Sequence, residues 1–442
     1  MTRAVALLFA VATSGCFDPS YDQPSCGPGN ECPSGLTCAL GERVCRPPGD
    51  SADSAEIDAP QVELEDARID AGDPDAPIDA PPDAPPDAGA VSDVLAYVTA
   101  ADSVPGTGDW TIATPTTIDT TSFTASQSLP AGVSITSGTM LAGGTIAILR
   151  VGDLAIAAGQ TLSIRGAHPL AIVAGGSVTV SGAIDAAAEG ARPGPDGSLA
   201  EMGLQAGARS MINGSRDSGG GGGGYGSPGG RGGNVGGSSP ASGGAGGGSS
   251  GSGVPIVLRG GSGGGSGARV CTPEASGGGG GGAIFVYAAT SIVVTGGIRA
   301  GGGGGVAGDN CTSSVGGAGG GSGGQIDLQA PTIGGSGWLS ANGGAGAGGA
   351  AAGVISGPGQ NGANASATDA VAPGGSGAMA GSPQGTRGGN GASATTAAQA
   401  GSDQPVDGNA GGGGGGVGRI VLRHRGPAPV INASPPPVVT TF

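Results

Sequence analysis

The fold is decided by the stretch Thr145–Val180, which reads TIAILRVGDLAIAAGQTLSIRGAHPLAIVAGGSVTV. Within it, pairs of apolar residues two positions apart recur at every eighth position. The pairs are Ile146/Ile148, Leu154/Ile156, Leu162/Ile164, Leu170/Ile172 and Val178/Val180. A spacing of two is typical of a strand that buries one face. Because glycines stand near the breaks, the pattern predicts strands of about five residues joined by short bends.

Three such strands make one coil of about 24 residues, which places Leu170 and Ile172 directly above Ile146 and Ile148. The expected fold is therefore all-β: a single-stranded parallel β-helix, or β-solenoid, whose interior is a ladder of aliphatic side chains. An antiparallel meander is the alternative. It is disfavoured because the bends carry no Asn-Gly or Asp-Gly hairpin dipeptides.

The same apolar unit returns three times later in the chain. A shift of 114 residues superposes Leu170, Ile172, Val178, Val180 and Ile184 on Ile284, Val286, Ile292, Val294 and Ile298. The third copy has Ile326, Leu328, Ile333 and Leu339 in these roles, and the fourth keeps Ile420, Leu422 and Ile431. The copies end at Ala186, Ala300, Ala341 and Ala433, and the first three are followed by glycine-rich tracts at 187–282, 301–324 and 342–418. The long glycine-rich loops are therefore expected to leave the solenoid at one corner.

Two states compete for these low-complexity tracts. Gly/Ser-rich segments usually behave as flexible linkers. Alternatively, extended glycine strands pack backbone to backbone as polyglycine-II, because no Cβ keeps them apart. The sequence leaves both states open.

The composition excludes several classes of protein. Of 442 residues 103 are glycine, aromatic residues make up 2% and charged residues 11%, so a compact enzyme core and long helices are disfavoured. The net charge of −16 is concentrated between Asp50 and Asp93, where 14 acidic residues face a single arginine, Arg68. The rest of the chain is near neutral, and nucleic acid is therefore not an expected partner.

The N-terminus predicts export and a lipid anchor. Residues 1–15 read as a signal peptide, with Arg3 followed by a short apolar stretch. The sequence Thr13-Ser14-Gly15-Cys16 resembles a bacterial lipobox, although Thr13 stands where leucine is commonest. The resemblance implies that Cys16 is lipidated and that the protein is exported and held at the outer membrane, on the cell surface.

The other six cysteines predict disulfide bonds. Residues 16–46 form a small Cys-rich module after the lipid anchor, in which two disulfides among Cys26, Cys32, Cys38 and Cys45 are expected. Their spacing lacks the CxxC pairs of zinc sites. Cys271 and Cys311 lie in consecutive glycine-rich tracts one coil apart, and a disulfide between them is expected.

Residues 47–94 form an acidic stalk. Repeated Asp-Ala-Pro favours an extended, disordered spacer, and like charges stiffen it. No calcium loop is in register among its aspartates, so a solvated spacer is expected. Residues 95–442 are then the glycine-rich β-helix.

Catalytic chemistry is scarce in the sequence, and neither a catalytic site nor a metal or other cofactor is expected. His168 and His424 stand in different coils, and the chain has no lysine for a P-loop. The alternative enzyme hypothesis is a polysaccharide lyase or hydrolase with Asp185 and Arg299 on adjacent coils and Asp327 outward on the next. An ordinary surface ion pair is the alternative for these residues.

Two aromatic residues are further candidates for contact with a glycan. Phe285 and Tyr287 alternate with the inward Ile284 and Val286. They form either a platform on which sugars stack or a surface that packs beneath the first glycine-rich tract.

The string CGPGNECPSGLTCALGERVC, at 26–45, resembles small cysteine-rich modules found after the lipobox in myxobacterial surface lipoproteins. The glycine-rich body is similar in composition to exported β-helical proteins of myxobacteria and, more distantly, to glycine-rich mycobacterial surface proteins. These resemblances imply a structural or adhesive lipoprotein of the cell envelope or extracellular matrix rather than an enzyme. A polysaccharide-binding or polysaccharide-cleaving protein is the alternative, and the expected partners are the membrane, through the lipid, and matrix polysaccharide.

Overall fold

The computed structural model describes residues 95–442 except 214–215, 238–239, 252, 268–274, 308–314, 352–356, 380–383 and 407, together with the backbone at 37–39 and 44–46. The chain divides into two compact units, Met1–Ala84 and Pro85–Phe442. In the first unit, strands at Thr37–Ala39 and Val44–Arg46 pair antiparallel with Cys38 opposite Cys45. The predicted signal peptide, the predicted lipidation site Cys16, Cys26, Cys32 and the predicted acidic stalk lie outside the described residues.

The described part of the chain is all-β, with parallel strands in its sheets and one 3-10 turn at Ala100–Asp102. In chain order the strands are β1 (Thr37–Ala39), β2 (Val44–Arg46), β3 (Trp110–Ile112), β4 (Thr116–Asp119), β5 (Thr124–Ala125), β6 (Ser134–Thr139), β7 (Thr145–Val151), β8 (Leu154–Ile156), β9 (Thr161–Arg165), β10 (Leu170–Ala174) and β11 (Ser177–Val180). They continue as β12 (Ala183–Asp185), β13 (Ile212–Asn213), β14 (Arg216–Asp217), β15 (Ala283–Ala288), β16 (Ser291–Val294), β17 (Gly297–Arg299), β18 (Gln325–Gln329), β19 (Thr332–Ser340), β20 (Arg419–His424), β21 (Val430–Ser434) and β22 (Val438–Thr441). No helix among the described residues is long and apolar enough to cross a membrane.

Most of these strands form three stacks. The first stack has the order β22-β20-β18-β15-β10-β7-β6, parallel throughout except for β6 on β7. The second stack is β3-β8-β11-β16 and the start of β19, and the third is β4-β9-β12-β17 and the end of β19. Strand β5 pairs antiparallel with β4, and β21 pairs in parallel with β19.

The main core joins all three stacks. Leu170, Val178 and Ile184, one from each stack, belong to a single cluster of buried apolar side chains. In the second and third stacks apolar and polar residues alternate, because only one face is buried. Strands β10 and β15 are buried at every position, since a second apolar cluster covers the outer face of the first stack.

The predicted alignment of the later copies is confirmed. Leu170 pairs with Ile284, which pairs with Ile326, which pairs with Ile420. The copies in the second and third stacks align in the same way as far as β19. In the fourth copy Ala433 is opposite Leu339 rather than Ala341, so the predicted equivalence of the two end points is wrong by two residues.

The predicted alignment of the first coil is wrong by one residue. Leu170 lies opposite Ala147 rather than Ile146, and Ile172 is displaced in the same way. Ile146 and Ile148 therefore belong to the outer cluster of the first stack and not to the main core. A one-residue slip exchanges the two faces of a strand, and the apolar run of β7 fits either face.

The three glycine-rich tracts all run from the third stack to the first. They connect β12 to β15, β17 to β18 and β19 to β20. The link from β9 to β10 makes the same connection in four residues, at 166–169. Each tract therefore enlarges an equivalent connection.

The tracts are packed against one another as extended strands with a period of three. Along 319–324, successive N–H groups donate in turn to strands at 262–265, 413–416 and 300–303, and the order then repeats. Carbonyl groups at 317–322 accept from three other strands, at 220–223, 278–281 and 344–347. Three residues per turn and sideways hydrogen bonds are the geometry of polyglycine-II.

Glycine is required at the centre of this glycine lattice, the set of packed strands formed by the tracts. A Cβ atom on Gly320 would stand 2.2 Å from the carbonyl oxygen of Gly344, and one on Gly321 would stand 2.0 Å from that of Gly279. Backbones approach so closely only where no side chain separates them. Of the two states that the sequence left open, the described parts of the tracts adopt the packed one.

Candidate functional site

The predicted pair Asp185 and Arg299 lies on the outer face of the third stack. Asp185 on β12 is directly opposite Arg299 on β17, as the register argument predicts. The Asp185 carboxylate, however, binds Arg165 of β9, with Oδ2 3.1 Å from the guanidinium. Arg299 is exposed and makes no ion pair with any described residue. The prediction of a carboxylate–arginine pair is therefore wrong in its partner, and Arg299 is left as an unpaired cation.

Beside Arg299, a column of outward positions crosses four strands. Thr161, Ala183, Gly297 and Trp338 are successive partners along the third stack. At about 4.8 Å between strands, this column is about 14 Å long. Since the two middle positions carry a methyl group and a hydrogen, the column is a shallow trough between Thr161 and the indole ring of Trp338.

One wall of this trough comes from the third glycine-rich tract. Asn342, which is fully buried, donates from Nδ2 to the carbonyl oxygens of Ser366 and Thr368, and its Oδ1 accepts from Ser434. All hydrogen-bonding groups of its amide are thereby used, and the segment that carries Thr368 is held against the end of β19.

Together these residues line a groove of about 340 Å³, which we call the Arg299 groove. Gln160, Thr161, Ser181 and Thr368 provide side-chain donors and acceptors, Trp338 is half-buried and Arg299 is exposed. None of the residues lining it is Asp, Glu or His. The groove therefore offers one cation, one aromatic face and neutral hydrogen-bonding groups. Sequence reasoning missed Trp338; its signal was a tryptophan, one of two in the chain, among glycines.

Phe285 and Tyr287 do not form an exposed platform. Their exposed fractions are 0% and 1%. Both belong to the outer cluster of the first stack, where Leu258 from the first glycine-rich tract and Tyr97 cover them. The Tyr97 and Phe285 rings meet edge to face at a centroid distance of 5.4 Å. The alternative that they pack beneath the first tract is the one that the structure shows.

Asp327 faces away from the main core, as predicted, but it is fully buried. Its carboxylate accepts from the Tyr97 hydroxyl at 2.6 Å and binds the Arg423 guanidinium at 3.0 Å. Burial raises the pKa of Asp327, against the opposing effect of Arg423. Gln325 extends this buried polar network, because its Nε2 donates to Tyr97 and its Oε1 accepts from Tyr225. Every member has a partner, which is typical of a network that specifies structure.

The remaining motifs are dispersed. His168 stacks on Phe123 at a centroid distance of 5.8 Å, and His424 Nδ1 lies 2.8 Å from the carbonyl oxygen of Gly426. Arg231, which precedes two glycines, is paired with Asp403. Among the described residues no group of three or more His, Cys, Asp or Glu side chains is placed to hold a metal ion.

Cys271 and Cys311 lie outside the described residues, but the ends of their two segments meet. Val315 and Ala275 share one apolar cluster. On the other side of the second gap, the Val306 N–H donates to the carbonyl oxygen of Ser276, the residue after Ala275, at 2.9 Å. The predicted disulfide between the two cysteines stays a prediction that this convergence supports.

Comparison with known proteins gives no assignment: no family model, no curated protein and no solved structure matches the chain.

Proposed function

We propose that the chain is a surface-anchored adhesive or structural lipoprotein of the bacterial cell envelope, and that the Arg299 groove binds acidic polysaccharide. The observation that carries the proposal is the exposed Arg299, which pairs with no described carboxylate, beside the half-buried Trp338 on a small-residue floor. A guanidinium matches a sugar carboxylate bidentately, and an aromatic ring presents a flat face to a sugar ring.

The proposed scaffold is a single-stranded parallel β-helix of three faces, with the glycine-rich loops leaving from one corner. Supporting it are the three parallel stacks, the core that they share and the common position of the three tracts. Such a scaffold holds the groove rigid, since its floor consists of hydrogen-bonded strands and Asn342 fixes the wall that carries Thr368.

The proposed display is by way of Cys16 at the outer membrane, the four-cysteine module and the acidic stalk. The lipobox-like Thr13–Cys16 and the charge concentrated between Asp50 and Asp93 support it. A lipid anchor with several acyl chains would hold the protein stably at the membrane. Like charges along the stalk would extend it and hold the β-rich unit away from the surface.

Binding without cleavage is the expected activity. Glycosidases use two carboxyl groups across the scissile bond, whereas no carboxyl group lines the groove. Hydrolysis or lyase chemistry at this groove would need an acid or base that its lining residues do not provide.

The test uses the full chain, purified in detergent, with immobilised alginate or polygalacturonate and with neutral dextran as the comparison. Retention on the acidic polymers is expected to fall at least tenfold in Arg299→Gln and in Trp338→Ala, and to weaken with added salt. Arg192→Gln, which removes an exposed arginine outside the groove, is the matched control and is expected to bind as the parent does.

Equal retention of all variants, or no retention of the parent, would refute the proposal that the Arg299 groove binds acidic polysaccharide. Newly formed chain ends in the polymer would instead establish the cleaving alternative.

A further inference from the structure

A second concave site lies in the first glycine-rich tract, away from the groove of the third stack. It is a cavity of about 360 Å³ lined by Asp196, Ser198, Leu204, Tyr225, Arg259 and Ser262. We call it the Asp196 cavity. Its volume lies at the lower end of the range of small-molecule sites.

Two charged side chains in this cavity have unused hydrogen-bonding capacity. The Asp196 carboxylate accepts from the Gly260 N–H through Oδ2 at 3.0 Å, and no described group donates to its Oδ1. The guanidinium of the half-buried Arg259 makes no hydrogen bond to the described residues. The two groups are close enough for Arg259 to lower the pKa of Asp196, although burial is the larger effect and raises it. A perturbed carboxyl group in a cleft with a charged partner is typical of functional sites.

The walls of the cavity are fixed from behind by buried groups. Gln325, which is fully buried, accepts through Oε1 from the Tyr225 hydroxyl at 2.7 Å and from the Arg259 backbone N–H at 3.3 Å. Arg419 lies 5.6 Å from the centre of the Tyr225 ring. Such supporting contacts hold the residues of a binding site in place before the ligand arrives.

We propose that the Asp196 cavity binds a single neutral sugar residue or a polyol of similar size. Hydroxyl groups both donate and accept, so that neighbouring hydroxyls on a ring can donate to Asp196 and accept from Arg259. Ser198 and Ser262 add neutral partners, while Leu204 and Tyr225 provide apolar contacts for the carbon face. An acidic sugar is disfavoured by the carboxylate of Asp196, which distinguishes this site from the Arg299 groove.

The experiment is saturation-transfer NMR on the full chain in detergent, with glucose, galactose, mannose, N-acetylglucosamine and glycerol at millimolar concentration. At least one of these is expected to give a signal, and Arg259→Gln and Asp196→Asn are each expected to weaken its binding at least tenfold. Leu204→Ala changes an exposed side chain and is expected to weaken binding less without affecting folding. Arg299→Gln, in the groove, is expected to leave this binding unchanged, so that the two sites fail or succeed separately.

The proposal is overturned if none of the five probes binds, or if binding survives both cavity substitutions in variants whose melting temperature matches that of the parent. It is also overturned if Arg299→Gln removes the signal.

Discussion

Asp217 is fully buried at the end of β14, and neither of its carboxylate oxygens has a hydrogen-bond partner among the described residues. Its own N–H donates to Asn409 Oδ1 at 3.2 Å, so that the backbone is held while the carboxyl group is not. Burial raises the pKa of Asp217 from 3.8 to about 7. The protonated form is therefore the one that the folded protein favours.

This shift predicts a pH-dependent stability. A raised pKa in the folded state contributes stability that is fully present below the unfolded pKa and is lost as the pH rises through about 7. A shift of this size corresponds to about 4 kcal/mol. Asp217→Asn is expected to remove this part of the pH dependence and to gain stability relative to the parent between pH 4 and pH 8, as measured by denaturant unfolding.

Asp403→Asn is the control for Asp217, because the hydrogen bond from Arg231 lowers the pKa of Asp403 instead. The free energy of unfolding of Asp403→Asn should differ from that of the parent with the opposite dependence on pH. The difference should be small, since the pair is exposed. Parallel pH curves for the parent and Asp217→Asn would contradict the assignment.

The buried ion pair of Asp327 and Arg423 makes a second prediction. Arg423→Met leaves a buried carboxylate with only the Tyr97 hydroxyl, and a loss of about 3–5 kcal/mol in the free energy of unfolding is expected. Arg231→Met breaks an ion pair whose side chains are 45% and 50% exposed and should cost below about 1 kcal/mol. Similar losses in the two variants, measured by urea unfolding, would show that the buried ion pair stabilises the fold no more than the exposed one does.

The sequence predicts which face of a strand a residue lies on better than it predicts whether that residue is buried. The alternation in AIFVYA and QIDLQ places Phe285 and Asp327 correctly on the face away from the main core. That face is covered by Tyr97 and Leu258, which come from distant parts of the chain. An alternation with a period of two predicts that one face of a strand is buried. It does not predict whether other segments of the chain also cover the opposite face.

At the scale of the element, the glycine lattice predicts that any side chain added inside it destabilises the fold. A Cβ atom on Gly412 would lie 2.0 Å from the carbonyl oxygen of Ala318, whereas one on Gly253 would meet no atom within 4 Å. Gly412→Ala is expected to lower the free energy of unfolding by about 1–3 kcal/mol or more. Gly253→Ala is expected to be neutral or slightly stabilising. Thermal unfolding monitored by circular dichroism compares the two, and equal midpoints would contradict the packed lattice.

The strands of the three stacks were the most predictable elements, and the tracts the least. A shift of 114 residues aligned β10 with β15 without error, because each position repeats its apolar character. The alignment of β7 with β10 was predicted wrongly by one residue, since TIAILRV is apolar on both faces. The state of the tracts depends on hydrogen bonds between segments far apart in the chain, which local composition does not record.

At the scale of the whole molecule, the convergence of two tracts predicts one long-range cross-link. Peptide mapping of the unreduced protein is expected to give a linked peptide that contains Cys271 and Cys311, and Cys271→Ser is expected to leave a free thiol at Cys311. Loss of such a cross-link typically costs about 2–4 kcal/mol. Linkage of either cysteine to Cys26, Cys32, Cys38 or Cys45 would overturn this pairing.

The period of three in the lattice has a consequence for how such a chain changes over evolutionary time. Inserting or deleting one residue in 319–324 would turn every later N–H group toward a different neighbour, because the three directions of donation follow one another in strict order. Adding three residues restores that order and merely lengthens the strand. Gains and losses in units of nine nucleotides should therefore be tolerated here, so that tract length can drift while its geometry is inherited intact.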